Sequence, residues 1–159
     1  MVRIAFRCGT KRTEEAKIPL VEVYSPNEGS WRITSAGDSF SPGISFDDWG
    51  DHQLLNLNGV VHFVANDRDN NFCPLVFSFD LGDEDFHVIS MPNGAFCTSD
   101  YVHTSVIGGS LSLLCHDTSR HTVNNYCSIW VMKEYGIVDS LTKQFTVNLD
   151  GGLIRVLGL

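Results

Sequence analysis

Apolar residues along this chain occur in short runs separated by clusters of Gly, Pro, Asn, Asp and Ser. Val, Ile, Phe and Leu dominate the runs, and no stretch sustains the period of about 3.6 residues that an amphipathic helix needs. Such runs are typical of β-strands, so the pattern predicts an all-β protein with little or no helix. The predicted strands are Val2–Cys8, Leu20–Ser25, Trp31–Thr34, Gly59–Ala65, Leu75–Leu81, Phe86–Ser90, Ser110–Cys115, Ser128–Met132, Lys143–Val147 and Leu153–Leu157.

One pair of predicted strands recurs along the chain. The run Val21–Tyr24 is followed, seven residues after Tyr24, by Trp31. The run Val76–Phe79 is followed at the same distance by Phe86, so the two copies are offset by 55 residues. The residues after each aromatic also agree, since Arg32 corresponds to His87 and Ile33 corresponds to Val88. The chain therefore contains an internal repeat.

A third copy and a second repeated element extend the pattern. Ile129–Met132 begins the third copy, which we align to end near Phe145 with a loop six residues longer. A strand opened by Gly59 also matches a strand opened by Gly109, at an offset of 50 residues. Periods near 50 with several strands per repeat are typical of kelch-type propeller blades. The sequence predicts a kelch-like β-propeller fragment of about three blades, built from antiparallel sheets.

The repeats also predict how neighbouring blades pack. A large ring at the same position of each repeat would fill the gap between adjacent blades, where it buries the most area. Glycine at the start of the repeated strand suits a tight hairpin turn. We therefore assign structural roles to six repeat positions, which are Trp31, Phe86, Phe145, Gly59, Gly109 and Trp130.

Composition and charge exclude several partners. The chain has 159 residues, enough for one domain, and a net charge of -8 with only 11 basic residues. Nucleic acid binding requires clustered Lys and Arg, so it is not expected. No apolar stretch approaches the length of a membrane helix, about 18 residues. Five cysteines in irregular spacing indicate free thiols in a reducing compartment, and we expect a cytoplasmic or nuclear protein without a signal peptide.

Four soft ligands in the second half could bind zinc. They are Cys115, His116, His121 and Cys127. Structural zinc sites usually have closer pairs such as C-x2-C, which this set lacks. Cys115 also ends an apolar strand, where a thiol behaves as a small hydrophobic group. We assign no metal ligand and no cofactor.

Two further patterns could indicate catalysis or cation binding. The acidic run from Asp80 to Asp85 lacks the alternating ligands of a calcium loop, and we interpret it as a solvated turn. Cys97 with His103, or Cys115 with His121, could form a nucleophile and base, because such partners meet only in the fold. No local signature supports either pair. We therefore assign no catalytic residue and expect that the protein is not an enzyme.

Long polar connections are the better functional candidates. Ser35–His52, Asn66–Phe72, Met91–His103 and Asp117–Asn125 are long for hairpin connections and differ from one another while the strands repeat. Rigid scaffolds commonly place recognition on such loops. The alternative that any one of these loops is an insertion without a function is equally well supported.

Four ordered blocks resemble the F-box-associated interaction domain of plant F-box and F-box/kelch proteins. The resemblance extends from about Val2 to Val147, and in that family the domain captures a substrate protein while an N-terminal F-box docks on the adaptor of a ubiquitin ligase. Phe63 and Leu141 depart from the family, which usually has Trp there, and this suggests relaxed packing. The blocks are Val21–Ser25 with Gly29–Arg32, Asn58–Phe63, Phe77–Phe86 and Ile129–Gly136.

The resemblance implies a protein-recognition module whose substrate protein is unknown. No segment resembles an F-box, so we expect residues 1–159 to be one F-box-associated domain that is incomplete at both ends, and adaptor binding only if an upstream F-box exists. A truncated paralogue or decoy that cannot dock on a ligase is one alternative. An enzyme on a propeller scaffold is another, since propellers host both enzymes and binders.

Overall fold

The computed structural model describes residues 2–6, 19–35, 43–45, 54–92, 101–116 and 126–149. These ranges contain twelve β-strands and one short 3-10 helix, Val138–Ser140, and no α-helix. The strands are β1 (Val2–Phe6), β2 (Pro19–Ser25), β3 (Ser30–Ile33), β4 (Ile44–Ser45), β5 (Leu55–Leu57), β6 (Val60–Asp67), β7 (Cys73–Asp80), β8 (Phe86–Ile89), β9 (Tyr101–Ile107), β10 (Ser110–His116), β11 (Tyr126–Met132) and β12 (Leu141–Asn148).

The strands form three antiparallel sheets, which we call blades 1, 2 and 3. Blade 1 has the order β1-β2-β3, and blade 3 has the order β12-β11-β10-β9. In blade 2 the order is β4-β6-β7-β8, and β5 pairs with the same side of β6 as β4 does, at the opposite end of that strand. Each blade is thus a meander of strands that follow one another along the chain.

The pairing register confirms the repeats. Tyr24 lies opposite Trp31 in blade 1, and Phe79 lies opposite Phe86 in blade 2, as an offset of 55 residues requires. The hairpins that open β6 and β10 also correspond, because the pairs next to their turns, Leu57 with Val60 and Ile107 with Ser110, are offset by 50 residues. The repeated sequence blocks therefore occupy equivalent positions in the blades.

The structure corrects the alignment of the third repeat copy at one position. Met132, the counterpart of Phe79, lies opposite Leu141, so Leu141 and not Phe145 is the counterpart of Phe86. Phe145 lies opposite Ile129, beyond a register shift between Ile129 and Trp130. A bulge of this kind adds a residue to one strand, which is why an aromatic four positions later could be mistaken for the repeat position.

Each blade has a forward face, toward the next blade in the chain, and a rear face, toward the preceding one. The forward face of blade 1 contributes Val21 and Val23 to an apolar cluster with Val61 and Phe79 of blade 2. Phe86 packs against this cluster from the rear face of blade 2. Alternating side chains of a strand point to opposite faces, so one face of β7 serves this contact and the other serves blade 3.

The second boundary is larger. Val76 and Ile89 on the forward face of blade 2 pack with buried side chains from the rear face of blade 3. Leu141 and the partly buried Trp130 belong to this contact. Leu141 and Phe63 are both buried, although they stand where the family usually has Trp, and Phe63 stacks on Phe77 at 5.8 Å. The members from blade 3 are Val102, Leu111, Leu113, Cys115, Met132 and Leu141.

Of the three aromatic rings predicted to fill gaps between blades, Phe86 does so, Phe145 is not the repeat position, and the role of Trp31 stays a prediction. Phe86 fills such a gap, at the boundary of blades 1 and 2. Trp31 is 45% exposed because it lies on the rear face of blade 1, where no described residue forms a preceding blade. Phe145 is 59% exposed on the forward face of blade 3. The gap at the second boundary is filled by Leu141 instead.

Three strands escaped the sequence prediction. β4 has two residues and β5 has three, too few to give a periodic signal. β9 begins at Tyr101 inside the segment that we assigned to a loop, and its His, Thr and Ser side chains obscured the apolar alternation. The predicted strand Leu153–Leu157 lies outside the described residues.

Two-residue turns account for the repeated glycines. In the Asn58-Gly59 turn the φ values are 53° and 85°. In the Gly108-Gly109 turn they are 58° and 80°. Positive φ at both central residues defines the type I′ hairpin, whose twist matches that of the strands it joins. Gly59 and Gly109 thus have the structural role that the repeat predicted.

Replacing Gly109 by alanine should lower the free energy of unfolding by about 1–2 kcal/mol, because a Cβ disfavours positive φ. No heavy atom lies within 4 Å of the position that this Cβ would take, so the cost would come from the backbone and not from a clash. Urea denaturation measures the change. Gly109→Asn is the control and should cost clearly less, since asparagine tolerates this conformation; equal costs would contradict the explanation.

Candidate protein-binding face

The strands define two ends of the blades. At one end, the turn end, short turns join strands within each blade: residues 26–29, 58–59, 81–85, 108–109 and 133–140. At the other end, the loop end, β6 passes to β7, β8 ends before β9 begins, and β10 ends before β11 begins. Within each blade, the direction of the strands determines which end is the turn end and which is the loop end.

Three candidate loops of the sequence analysis are flanked by strand ends at the loop end, and the fourth, Ser35–His52, follows β3, which ends there. Ser35–His52, Met91–His103 and Asp117–Asn125 lie largely outside the described residues. Asn66–Phe72 is described in full. The predicted loop Ser35–His52 contains the short strand β4, and Met91–His103 contains the first residues of β9.

The Asn66–Phe72 connection is a tight hairpin. Cys73 N–H donates to the carbonyl oxygen of Asn70 at 3.0 Å, and Asn70 N–H donates to that of Asp67 at 3.3 Å. The Asp67 carboxylate accepts a further bond from Asp69 N–H at 3.0 Å. A side chain that satisfies its own turn in this way holds the hairpin in one conformation.

A second strand braces this hairpin. β4 pairs with the end of β6, and Arg68 N–H donates to the carbonyl oxygen of Gly43 at 2.8 Å. A Cβ at Gly43 would displace the exposed carboxylate of Asp69, so the two segments approach closely here. The described part of the loop end is therefore a rigid three-stranded projection.

Phe72 is the unusual residue of the hairpin. Its φ is 57°, in the left-handed region that bulky residues rarely adopt, and Asn71 before it has a φ of 52°. Its side chain is 53% exposed. Backbone strain at an exposed aromatic residue is a feature of functional sites, where the surrounding structure holds a side chain in a required position. The sequence gave no sign of this conformation.

Tyr101 adds a second exposed aromatic side chain to the loop end. It is the first residue of β9, pairs with His116 at the end of β10, and is 62% exposed. Tyrosine and other aromatic residues are enriched among the energetically dominant residues of protein interfaces. Phe72 and Tyr101, on paired strands and a hydrogen-bonded hairpin, can therefore anchor a partner protein.

The turn end bears the acidic run, which is engaged in turn structure as predicted. The Asp80 carboxylate accepts bonds from Gly82 N–H at 2.7 Å and Asp83 N–H at 3.2 Å, and these bonds lower its pKa. Glu84 forms a two-point ion pair with Arg32 of blade 1, which lowers the pKa of the Glu84 carboxyl. The run thus shapes the turn and joins two blades.

A hydrogen bond between a buried histidine and a half-exposed tyrosine joins blades 2 and 3. His62 is fully buried, and its Nδ1 lies 3.4 Å from the Leu55 carbonyl oxygen, which can only accept. Nδ1 therefore holds the proton, and Nε2 accepts from the Tyr135 hydroxyl at 2.9 Å. Burial lowers the pKa of His62 and raises that of Tyr135. Because Ser112 replaces His62 in the other repeat, the sequence suggested a freely variable position and missed this contact.

The three described candidates for zinc ligands lie on opposite faces of blade 3. Cys115 belongs to the apolar cluster on the rear face of blade 3, whereas His116 and Cys127 lie on the forward face, where His116 Nε2 is 3.8 Å from Cys127 Sγ. Burial raises the pKa of the Cys127 thiol, which disfavours the nucleophilic thiolate. His121 and Cys97 lie outside the described residues. In the described ranges, no group of three or more His, Cys, Asp or Glu residues could hold a metal ion.

Comparison with known protein families shows which kind of domain these blades belong to. The sequence profile of the family described as the F-box associated beta propeller domain matches residues 1–153. The chain belongs to this family. The predicted resemblance and the propeller fold class are thereby confirmed, and the three blades are part of an F-box associated β-propeller domain.

Similar curated proteins include F-box proteins of Arabidopsis thaliana. The F-box protein CPR1 is 31% identical over 139 residues, covering 80% of this chain and 31% of its own length. The putative F-box/kelch-repeat protein At3g17540 is 25% identical over 136 residues, covering 85% of this chain and 32% of its own length. The chain thus spans about a third of the length of these relatives. No solved structure matches it.

Membership of the F-box associated family identifies the chain as a protein-interaction module of F-box proteins. The family is defined by its association with the F-box and not by a catalytic activity. Within the ranges that the structure describes, no helix has the length and apolar character of a membrane span.

Proposed function

We propose that this F-box associated domain captures a substrate protein for a ubiquitin ligase through its loop end, without catalysis or a cofactor of its own. The observation that supports this function best is the strained, exposed Phe72 on a braced hairpin at the loop end. In this proposal residues 1–159 act as one domain, in the cytoplasm or nucleus.

Physical properties of the loop end favour a protein partner. An anchor contributes most when it is rigid before binding, because little conformational entropy is then lost. Phe72 meets this condition, since the hairpin hydrogen bonds and β4 fix its backbone. The net charge of -8 further favours a partner with a basic surface, which electrostatic attraction would draw in faster.

The binding proposal is tested with variants at the two exposed aromatic residues. Phe72→Ser and Tyr101→Ser should each reduce the recovery of a specific partner from an Arabidopsis extract by about tenfold or more, as expected for interface hot spots. Val88→Ser is the matched control, because Val88 is exposed on the edge strand β8 and lies opposite Phe77 in the middle of β7, outside the hairpin and the start of β9. Quantitative mass spectrometry compares the captured proteins. Partners that depend on Val88 and ignore Phe72 would contradict a loop-end site.

The ligase role requires a separate experiment. The 159-residue chain should not bind a Skp-type adaptor, because adaptor docking belongs to the F-box in this family. The same chain fused behind an F-box should bind the adaptor and direct ubiquitin transfer to the captured partner. Adaptor binding by the chain alone, or a bound partner that is never modified by the fusion, would contradict this role.

A further inference from the structure

Residues 133–140, which join β11 to β12 at the turn end, form a compact and well-bonded turn. The Ser140 hydroxyl bonds to both the N–H and the carbonyl oxygen of Glu134, at 3.0 and 2.9 Å. Gly136 N–H donates to the sulfur of Met132 at 3.2 Å. These bonds hold the turn in one conformation before any partner binds.

Tyr135 lies in this turn and reaches across to blade 2. Its hydroxyl donates to His62 Nε2 at 2.9 Å, and the two rings meet edge to face with centroids 5.6 Å apart. The hydrogen bond engages the hydroxyl end of the ring, and Tyr135 remains 53% exposed. The ring is therefore fixed in position while much of its surface faces solvent.

Two carboxylates of blade 2 lie on the side of the blade that faces Tyr135. Asp80 shares the forward face of β7 with Val76, and burial together with the charge of Asp80 raises the pKa of Tyr135. Asp80 N–H donates to the carbonyl oxygen of Asp85 at 3.0 Å, which places these two residues opposite each other. Phe86 lies on the rear face, so Asp85 before it lies on the forward side.

The turn between β7 and β8 already binds a guanidinium on its rear side. Arg32 of blade 1 forms a two-point ion pair with Glu84 of this turn. On the forward side, the exposed imidazole of His87 is close enough to Asp80 to lower the pKa of its carboxyl slightly, after the bonds from the turn N–H groups. The forward side thus combines two carboxylates with the exposed ring of Tyr135.

We propose that the turn end between blades 2 and 3 binds an arginine-bearing segment of a partner protein, with the guanidinium over the Tyr135 ring and paired with Asp80 and Asp85. A guanidinium is attracted to the face of an aromatic ring, and its planar fork matches the geometry of a carboxylate. The net charge of -8 favours the approach of such a segment.

This surface is distinct from the loop end, where we propose substrate capture. It lies between blades 2 and 3, which are both described, so its exposure does not depend on the chain beyond either terminal blade. A partner bound at the turn end would leave Phe72 and Tyr101 accessible at the opposite end of the blades. The two surfaces can therefore be tested separately.

Fluorescence anisotropy with a labelled peptide of six arginines tests the turn-end site on the 159-residue chain. Tyr135→Leu and Asp85→Asn should each weaken binding by about threefold or more at low salt, as the loss of one cation–π or charged contact predicts. Asparagine keeps an oxygen that can accept from Phe86 N–H, as Asp85 does. Circular dichroism should show that both variants keep their β-structure.

Three controls separate a built site from diffuse attraction to an acidic protein. Tyr135→Phe keeps the ring, and Asp69→Asn removes an exposed charge at the loop end, so both should bind within about twofold of the wild type. A peptide of six lysines should bind more weakly, because an ammonium group cannot pair in a two-point geometry. Equal losses for Asp69→Asn and Asp85→Asn, equal losses for Tyr135→Phe and Tyr135→Leu, equal binding of the two peptides, or no binding of the arginine peptide would each overturn the proposal.

Discussion

Phe79→Ala is expected to lower the free energy of unfolding by about 3–5 kcal/mol, the usual cost of removing a buried aromatic ring. Phe79 has no exposed surface and lies where blades 1 and 2 meet, in a cluster with Val21, Val23 and Val61. Its ring centroid lies 5.1 Å from that of Phe86. The truncation would leave a cavity between the two sheets, and the surrounding residues would fill it only partly. Urea denaturation followed by circular dichroism measures the loss.

Phe72→Ala is the matched control, because it removes the same ring from an exposed position. It should change the free energy of unfolding by less than about 1 kcal/mol, as surface substitutions usually do. If the two variants were equally destabilised, Phe72 would have to be packed in solution, and the loop end would differ from the structure. If neither were destabilised, the boundary between blades 1 and 2 would be wrong.

The sequence predicted most of the strands and their repetition because both depend on local and recurring signals. Runs of apolar residues bounded by turn residues marked nine of the twelve described strands, and the offset of 55 residues reproduced the pairing of Tyr24 with Trp31 and of Phe79 with Phe86. Pairing register follows from the alternation of side chains along a strand. This alternation can be recognised in the amino-acid sequence.

Exposure of the repeated aromatic residues could not be predicted in the same way. Trp31 and Phe86 are equivalent within their blades, yet Phe86 packs against blade 1 while Trp31 has no described blade behind it. The sequence also lacks a marker for the register shift in blade 3, so Phe145 was aligned in place of Leu141. Packing between blades depends on neighbours that a repeat pattern does not identify.

The candidate site was predicted by region and not by residue. Variable connections between repeated strands directed attention to Asn66–Phe72, which lies at the loop end. The positive φ of Phe72 could not be inferred, because neither residue type nor position suggests a left-handed phenylalanine. The contact of His62 with Tyr135, 73 residues apart, also depends on the tertiary fold.

His62→Gln should remove a pH dependence of stability that the wild-type protein shows in mild acid. Burial lowers the pKa of His62 in the folded state below its ordinary value of 6.5. The folded state therefore favours the neutral ring, and the unfolded state binds the proton more readily. The stabilisation is fully present above about pH 6.5 and is lost as the pH falls through the lower folded-state pKa. Glutamine fills the site without titrating in this range.

The measurement compares the two proteins by urea denaturation from about pH 7.5 to pH 5, above the range in which ordinary carboxylates titrate. The chain has six histidines, so the informative quantity is the difference between wild type and His62→Gln at each pH. This difference should favour the wild type most at the upper pH and shrink steadily in acid. Tyr135→Phe should retain the pH dependence while costing about 1 kcal/mol for the lost hydrogen bond. A difference that stays constant across the range would show that His62 keeps an ordinary pKa, and the contact between blades 2 and 3 would then not exclude water.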